Sequence, residues 1–299
     1  MTTTEVFGDW GTTRLRLFRM QEGAIVEQVD GAGIGALTVA PEEELARALR
    51  GFSEPKDFRV FLCGMVGARN ALVEAPYVAC PADVEAWRRA AVTLRSVNTD
   101  ISIAPGLECT NESGAPDVMR GEETQIFGAM TINPALAQGA HVIVLPGTHS
   151  KWARVQDGAV TSFKTFVTGE LFALLKTRST LARVSVSADG ETPHDEEGFA
   201  AGLRRAEMDP DLLGAMFSAR SAQLSEARSA GWAMSYLSGL LIGHEIAAGW
   251  RGDKLTLIGA GRLTDLYRQA FAVRGIACSV LEGEACAVAG LSLLAKDKK

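Results

Sequence analysis

Within a few residues, the stretch Val6-Phe-Gly-Asp-Trp-Gly-Thr-Thr-Arg-Leu-Arg-Leu-Phe18 combines an aspartate, bare glycine backbone and two adjacent hydroxyls. Gly11 lets an anion come close to the chain, and Thr12 and Thr13 add donors without formal charge. Asp9 would repel a phosphate unless a Mg²⁺ stood between them, held by the carboxylate through water and by the phosphates directly. A plain turn, with Asp and Gly in their ordinary turn roles, is the competing explanation. A Walker-type loop is excluded, because G-x-x-x-x-G-K-[ST] is absent and a strand rather than a helix follows.

A second stretch, Val144 to Val155 (VLPGTHSKWARV), again sets a glycine and a threonine, Gly147 and Thr148, between two strand-like runs. Each half of the chain therefore offers a hairpin tip with bare amides and a hydroxyl, and two such tips facing each other would clasp a polyphosphate. A third cluster, Leu257-Ile-Gly-Ala-Gly-Arg262, ends a strand and opens a helix. Gly259 and Gly261 there suit a nucleotide base and ribose lying over a helix N-terminus. The three-glycine dinucleotide fingerprint is not completed, and small residues at such a turn also serve packing.

These residues need elements to hold them. Period-2 alternation predicts a three-strand meander over the first thirty residues, then a helix from Pro41, a buried strand FRVFLCG, a helix from Pro81 and a short strand ISIA. A helix is expected over Asp117–Ile132. The pattern then restarts with HVIVLPG, SKWARVQ and AVTSFKTFV, followed by helices over roughly 169–177, 196–206, 210–224 and 228–249. Strand KLTLIG, helix LTDLYRQAF, strand IACSVL and a terminal helix close the chain. A meander followed by α and β elements thus occurs once in each half.

The chain has 299 residues, 47% of them hydrophobic, enough for a large core and two lobes. A net charge of −6 gives no general attraction to nucleic acid or anionic lipid. Five cysteines form no C-x-x-C pair, which points to reduced thiols rather than a metal knuckle or disulfide framework. No secretory leader or membrane-length apolar run is evident, so a cytoplasmic protein with no membrane and no nucleic-acid partner is expected.

Taken together, the three loops resemble the actin-like ATPase superfamily of sugar kinases, hexokinase and Hsp70. The N-terminal D-x-G-T/S loop is matched by Asp9-Trp-Gly-Thr12 and the Gly-Thr-Gly loop by Gly147-Thr-His149. The helix carrying an acidic base is matched by Gly121-Glu-Glu-Thr-Gln-Ile-Phe-Gly128, and the E-A-x-A-x-G terminal helix by Glu284-Ala-Cys-Ala-Val-Ala-Gly290. More closely, DWGTT, GMVGARNALVEAPYVACPA, PDVMRGEETQ, LPGTHSKW and FVTGELFALL are jointly similar to the 2-dehydro-3-deoxygalactonokinase family.

That resemblance implies a two-lobed, ribonuclease H-like α/β fold, each lobe a mixed sheet with flanking helices and a cleft between them. Residues 1–118 would form the N-terminal lobe, with the terminal helix 284–297 packing back onto it, and residues 119–299 the C-terminal lobe. It implies ATP and Mg²⁺, and phosphoryl transfer to the 6-hydroxyl of 2-dehydro-3-deoxy-D-galactonate. Another sugar or sugar acid, or a nucleotide-switched protein without a metabolite substrate, stays open on the same fold.

Glu122 aligns with the base, with Glu123 and Asp117 in reserve, since glutamate stands where the wider superfamily has aspartate. Asp9 is assigned to Mg²⁺; Gly11, Thr12, Thr13, Gly147 and Thr148 to the phosphates; Gly259 and Gly261 to adenosine. The substrate's carboxylate calls for an arginine fork, for which Arg69 and Arg14 are the candidates. Trp10 either walls the sugar site or belongs to the core. Lys151 and His149 flank the second loop, and Gly239 and Gly243 suit close helix packing. A small sugar acid is the expected partner, with a homodimer left open.

Overall fold

The computed structural model describes residues 4–53, 57–95, 99–181 and 194–296; position 297 of the expected terminal helix lies outside them. It is a mixed α/β structure. The first meander is β1 (Thr4–Trp10), β2 (Arg14–Gln21) and β3 (Ala24–Ala32), followed by α1 (Pro41–Leu49), β4 (Phe58–Gly64), β5 (Tyr77–Ala79), α2 (Val84–Arg89), β6 (Val92–Arg95) and β7 (Thr99–Ile103). Next come β8 (Gly106–Thr110), β9 (Pro116–Met119) and α3 (Glu122–Ile132). The second meander is β10 (Ala140–Leu145), β11 (Ser150–Gln156) and β12 (Ala159–Phe166). Four helices follow: α4 (Thr168–Arg178), α5 (Glu196–Met208), α6 (Leu212–Ser225) and α7 (Ala230–Gly249). The chain ends with β13 (Leu255–Ile258), α8 (Gly261–Val273), β14 (Cys278–Leu281) and α9 (Gly283–Ala295).

One sheet runs β3-β2-β1-β4-β7-β6 and another β12-β11-β10-β13-β14, with a small third sheet β5-β8-β9. The two large sheets thus repeat one order, a meander whose first strand is joined by the strands that come later, as the actin-like expectation requires. β1 is antiparallel to β2 and parallel to β4, and this register sets Asp9 opposite both Arg16 and Cys63.

Two sequence expectations shift. The helix expected from Asp117 begins at Glu122, because Gly121 sits at φ 110°, where an L side chain is strained and a helix cannot pass. Residues 116–119 instead pair with β8. The helix expected from Pro81 is a six-residue turn capped by the Asp83 carboxylate, which accepts from the Ala86 N–H at 2.8 Å. β-branched Val92 and Thr93 then turn the chain into a strand.

The chain divides into two compact units: Met1–Ile143 with Ala153–Phe163 and Leu281–Lys299, and Val144–Trp152 with Lys164–Val280. In the first, a core of Val6, Trp10, Leu15, Leu17, Val60 and Leu62 fixes β1, β2 and β4. Trp10 is fully buried and its indole N–H donates to the Ala32 carbonyl at 2.9 Å, which makes it a core residue. Helices α3 and α9 touch backbone to backbone: a Cβ added at Gly128 would lie 1.8 Å from the Cys286 carbonyl oxygen, and one at Gly290 would lie 2.0 Å from that of Thr124. In the second unit α5 and α7 meet in the same way, with Gly239 against the Phe199 carbonyl and Gly243 against Ala206. Among the described residues no helix is long and apolar enough to cross a membrane.

Candidate active site

In the first unit the hairpin tip is tied down by its own backbone. The Gly11 N–H donates to the Arg14 carbonyl at 3.0 Å, the Ile34 N–H to the Gly11 carbonyl at 3.0 Å, and the Gly35 N–H to the Thr12 carbonyl at 2.8 Å. Gly33 must be glycine, since a Cβ there would come within 2.3 Å of the Arg14 nitrogen. Thr12 and Thr13 remain exposed on this fixed loop, as an anion site would need.

Asp9 leaves the end of β1, and its Oδ2 accepts from Arg16 Nη2 at 2.6 Å; Arg16 Nη1 donates to Glu284 Oε2 at 2.9 Å on α9. Oδ1 faces Gly64, where a Cβ would sit 3.4 Å away, and Gly64 in turn abuts Gly121, the residue before α3. The candidate metal residue and candidate base are therefore separated by two glycine backbones. A Mg²⁺ held chiefly by phosphate oxygens and water needs only one or two protein carboxylates, so Asp9 fits it. Among the described residues no cluster of three or more His, Cys, Asp or Glu could hold a metal by itself.

The two adjacent glutamates at the head of α3 differ sharply. Glu122 is partly exposed, and its Oε2 accepts from the Arg120 N–H at 3.2 Å. Glu123 is fully buried; its carboxyl accepts from the Gly121 N–H at 2.6 Å and from the Thr124 hydroxyl at 2.9 Å. Burial, and then the charge of Glu122, push the Glu123 carboxyl up to about 8. Burial, followed by the charges of Asp9 and Glu123, likewise pushes the Cys63 thiol well up, so this cysteine is an inert neighbour.

The two arginines lie outside this cluster. Arg14 pairs with Asp30 at 2.7 Å, and Arg69, with 80% of its side chain exposed, approaches Glu74 at 3.4 Å. A further cation, Arg120, stacks on the Tyr77 ring at 4.2 Å and donates to the Ala75 carbonyl at 2.7 Å.

In the second unit the loop after β10 is open where it counts. A Cβ at Gly147 would meet nothing closer than 3.8 Å, and Thr148 is exposed. The start of α4 clamps the loop from below: the Glu170 N–H donates to the Thr148 carbonyl at 2.9 Å, and a Cβ at Gly169 would fall 2.2 Å from the Gly147 carbonyl oxygen. His149 bonds Glu170 at 2.7 Å, and Lys151 turns inward to the Thr165 hydroxyl at 2.7 Å.

Gly259 follows β13, the sheet neighbour of β10. Its missing side chain makes room for the Thr264 hydroxyl, which a Cβ would approach to 2.5 Å, and Gly261 takes φ 69° at the head of α8. Beside it lies a cavity of about 320 Å³ lined in part by Phe172, Lys176, Arg262, Leu263 and Leu266.

Sequence reasoning missed Arg16, Glu284 and the buried Glu245. The i, i+2 position of Arg16 relative to Arg14, on the strand facing Asp9, was the available signal for the first; nothing local marked Glu245 within an apolar helix.

The sequence model of the family described as 2-keto-3-deoxy-galactonokinase matches residues 9–294. The chain is 35% identical to a probable 2-dehydro-3-deoxygalactonokinase of Rhizobium meliloti (strain 1021), covering 99% of this chain and 98% of that one. It is 32% identical to the 2-dehydro-3-deoxygalactonokinase of Escherichia coli (strain K12), again over 99% and 98%. A crystal structure of a 2-dehydro-3-deoxygalactonokinase candidate from Sinorhizobium meliloti superposes with a TM-score of 0.89 at 34% identity, covering 99% of this chain and 96% of that one. With its motifs, strand order and near-complete coverage in agreement, the chain belongs to the 2-keto-3-deoxy-galactonokinase family.

Proposed function

We propose that the protein is an ATP-dependent kinase that phosphorylates the 6-hydroxyl of 2-dehydro-3-deoxy-D-galactonate, giving the 6-phosphate and ADP. The observation that carries this reading is the family match over residues 9–294 joined to a partly exposed carboxylate, Glu122, two glycine backbones from Asp9.

Glu122 takes the proton of the 6-hydroxyl as that oxygen bonds to the γ-phosphorus, while the bond to the β-phosphate oxygen breaks and ADP leaves. Glu123 is unsuited to this task, since both its oxygens are engaged and it keeps its own proton to about 8. Asp117 is held on strand β9. Mg²⁺ near Asp9 would neutralise charge on the β- and γ-phosphates. Arg16 aims Asp9 through their 2.6 Å ion pair. Gly11, Thr12 and Thr13 in the first unit offer amides and hydroxyls suited to phosphate, as do Gly147 and Thr148 in the second. Gly259 and Gly261 take the adenosine, with the adjoining cavity receiving the base. Arg14 or Arg69 meets the substrate carboxylate. A reaction that consumes ATP and an intracellular sugar acid belongs in the cytoplasm.

A coupled assay of ADP release tests the reading. Turnover with 2-dehydro-3-deoxygalactonate far above that with neutral hexoses is expected. ATP hydrolysis at the same rate with and without the sugar acid would overturn it.

A further inference from the structure

The second unit contains a buried carboxylate for which the proposed chemistry has no role. Glu245, on α7, is 2% exposed. Its Oε1 accepts from the Ser150 hydroxyl and the Trp152 indole N–H, each at 2.7 Å. Its Oε2 accepts from the Tyr267 hydroxyl at 2.7 Å and from the Thr168 hydroxyl. Four hydrogen bonds on two oxygens occupy the carboxyl fully, one from an indole N–H and three from hydroxyls. Burial raises its pKa and the four hydrogen bonds oppose that rise.

The donors are not scattered. Ser150 is the residue after the second phosphate loop, and Thr168 is the first residue of α4, whose next two residues clamp Gly147 and Thr148. Tyr267 is on α8, six residues beyond Gly261, so the same carboxylate also grips the helix that opens at the adenosine loop. If only stability were at stake, an apolar side chain would fill the space without burying a polar group. Convergence of these donors on one carboxyl instead fixes both nucleotide loops of the unit against a single point.

We propose that Glu245 is a positioning residue for ATP: acting through Ser150, Thr168 and Tyr267, it holds the phosphate loop and the adenosine helix in one preorganised arrangement. This rests on the kinase reading for its kinetic arm alone.

The test compares Glu245→Gln, Ser150→Ala and Thr168→Val with Leu237→Ala, which removes buried volume from the helical core of the same unit without touching the Glu245 hydrogen bonds. All are assayed well below their melting temperatures. The first three should lower kcat/KM for ATP about 10- to 100-fold while the KM for the sugar acid stays within about 2-fold. Leu237→Ala should lose thermal stability and keep the KM for ATP. Calorimetric titration with Mg²⁺ and adenylyl imidodiphosphate, without sugar acid, should show about 10-fold weaker binding in Ser150→Ala and Thr168→Val. That arm stands even if 2-dehydro-3-deoxygalactonate is not the substrate, and it carries the test if Glu245→Gln fails to fold. Equal nucleotide affinity in wild type and both hydroxyl variants, or kinetics matching those of Leu237→Ala, would overturn the proposal.

Discussion

Each unit of the protein buries a carboxylate close to its candidate site residues, Glu123 in the first and Glu245 in the second, and the two are held differently. Glu123 has three donors, the backbone N–H groups of Gly121 and of Glu123 itself and the Thr124 hydroxyl, and the charge of Glu122 as neighbour; it keeps its proton up to about 8. Glu245 has four donors and no acidic neighbour against it, so burial is resisted at every lone pair. The difference teaches that hydrogen bonds oppose the rise that burial imposes on a carboxyl, whereas a neighbouring negative charge adds to it. The first unit's candidate site is built from ions, Asp9 with Arg16 and Glu284 and the glutamate pair. The second is built from neutral hydroxyls around one fixed carboxyl, where a loop is held still.

The largest effect should come from the ionic side. Glu122→Gln keeps the shape of the side chain and removes the base, so kcat should fall by ~10²–10⁴-fold with nucleotide affinity nearly unchanged. Single-turnover kinetics with saturating ATP check this. Unaltered turnover would place the base elsewhere and remove the contrast between the units.

Next in size is the pH response of Glu123. Its folded pKa of about 8 lies above the ordinary glutamate value of 4.5, so its contribution to stability is complete below 4.5 and is lost as pH rises toward 8. At about 1.4 kcal/mol per pH unit, the wild type should lose a few kcal/mol across that window through this group. Glu123→Gln, neutral at every pH, should flatten the profile and gain stability relative to wild type as pH rises from 5 to 8. Denaturant melts at pH 5, 6.5 and 8 give the slope; parallel profiles for the two proteins would show that Glu123 is ionised in the fold.

The meanders, both large sheets and most helices were legible because alternation and helical periodicity report which face is buried, the two hairpin loops because glycine beside threonine bridges strands in each, and the third because paired glycines stand between a strand and a helix. The sheet β5-β8-β9 was not legible: its strands span three to five residues, too short for a period to declare itself. The start of α3 was misplaced because the break lies in the φ of Gly121, which spacing does not encode. Arg16 and Glu284 are 268 positions apart, and the donors to Glu245 come from three elements, β11, α4 and α8, so neither pairing is local in the chain. Asp9, Glu122 and the loop glycines were named from the sequence, whereas the groups that orient them come into view only in the fold.

Gly169→Ala sharpens the comparison on the neutral side. Its Cβ would fall 2.2 Å from the Gly147 carbonyl oxygen, so the loop or the start of α4 must move. Overpacking of this kind costs about 1–3 kcal/mol, and a displaced loop should lower kcat about 10-fold or more. At Gly147 itself nothing lies within 3.8 Å of an added Cβ except solvent-side space, so Gly147→Ala should melt like wild type and reveal any loss at the phosphates alone. Equal melting temperatures for Gly169→Ala and wild type would show that the clamp is loose.

The smallest effect is expected at His149, which stands where the wider pattern has a glycine. Its 2.7 Å bond to Glu170 joins two side chains that are each about half exposed, at 51% and 50%. Water competes for both partners, and pairs of this exposure contribute roughly 0–1 kcal/mol. The backbone bond from Glu170 to the Thr148 carbonyl and the contact at Gly169 remain when the imidazole is removed. His149→Asn should therefore shift the melting temperature by no more than a few degrees and kcat/KM for ATP by less than about 3-fold. A loss as large as that of Gly169→Ala would mean that the imidazole itself reaches the nucleotide, and the second site could no longer be described as built from neutral hydroxyls and backbone.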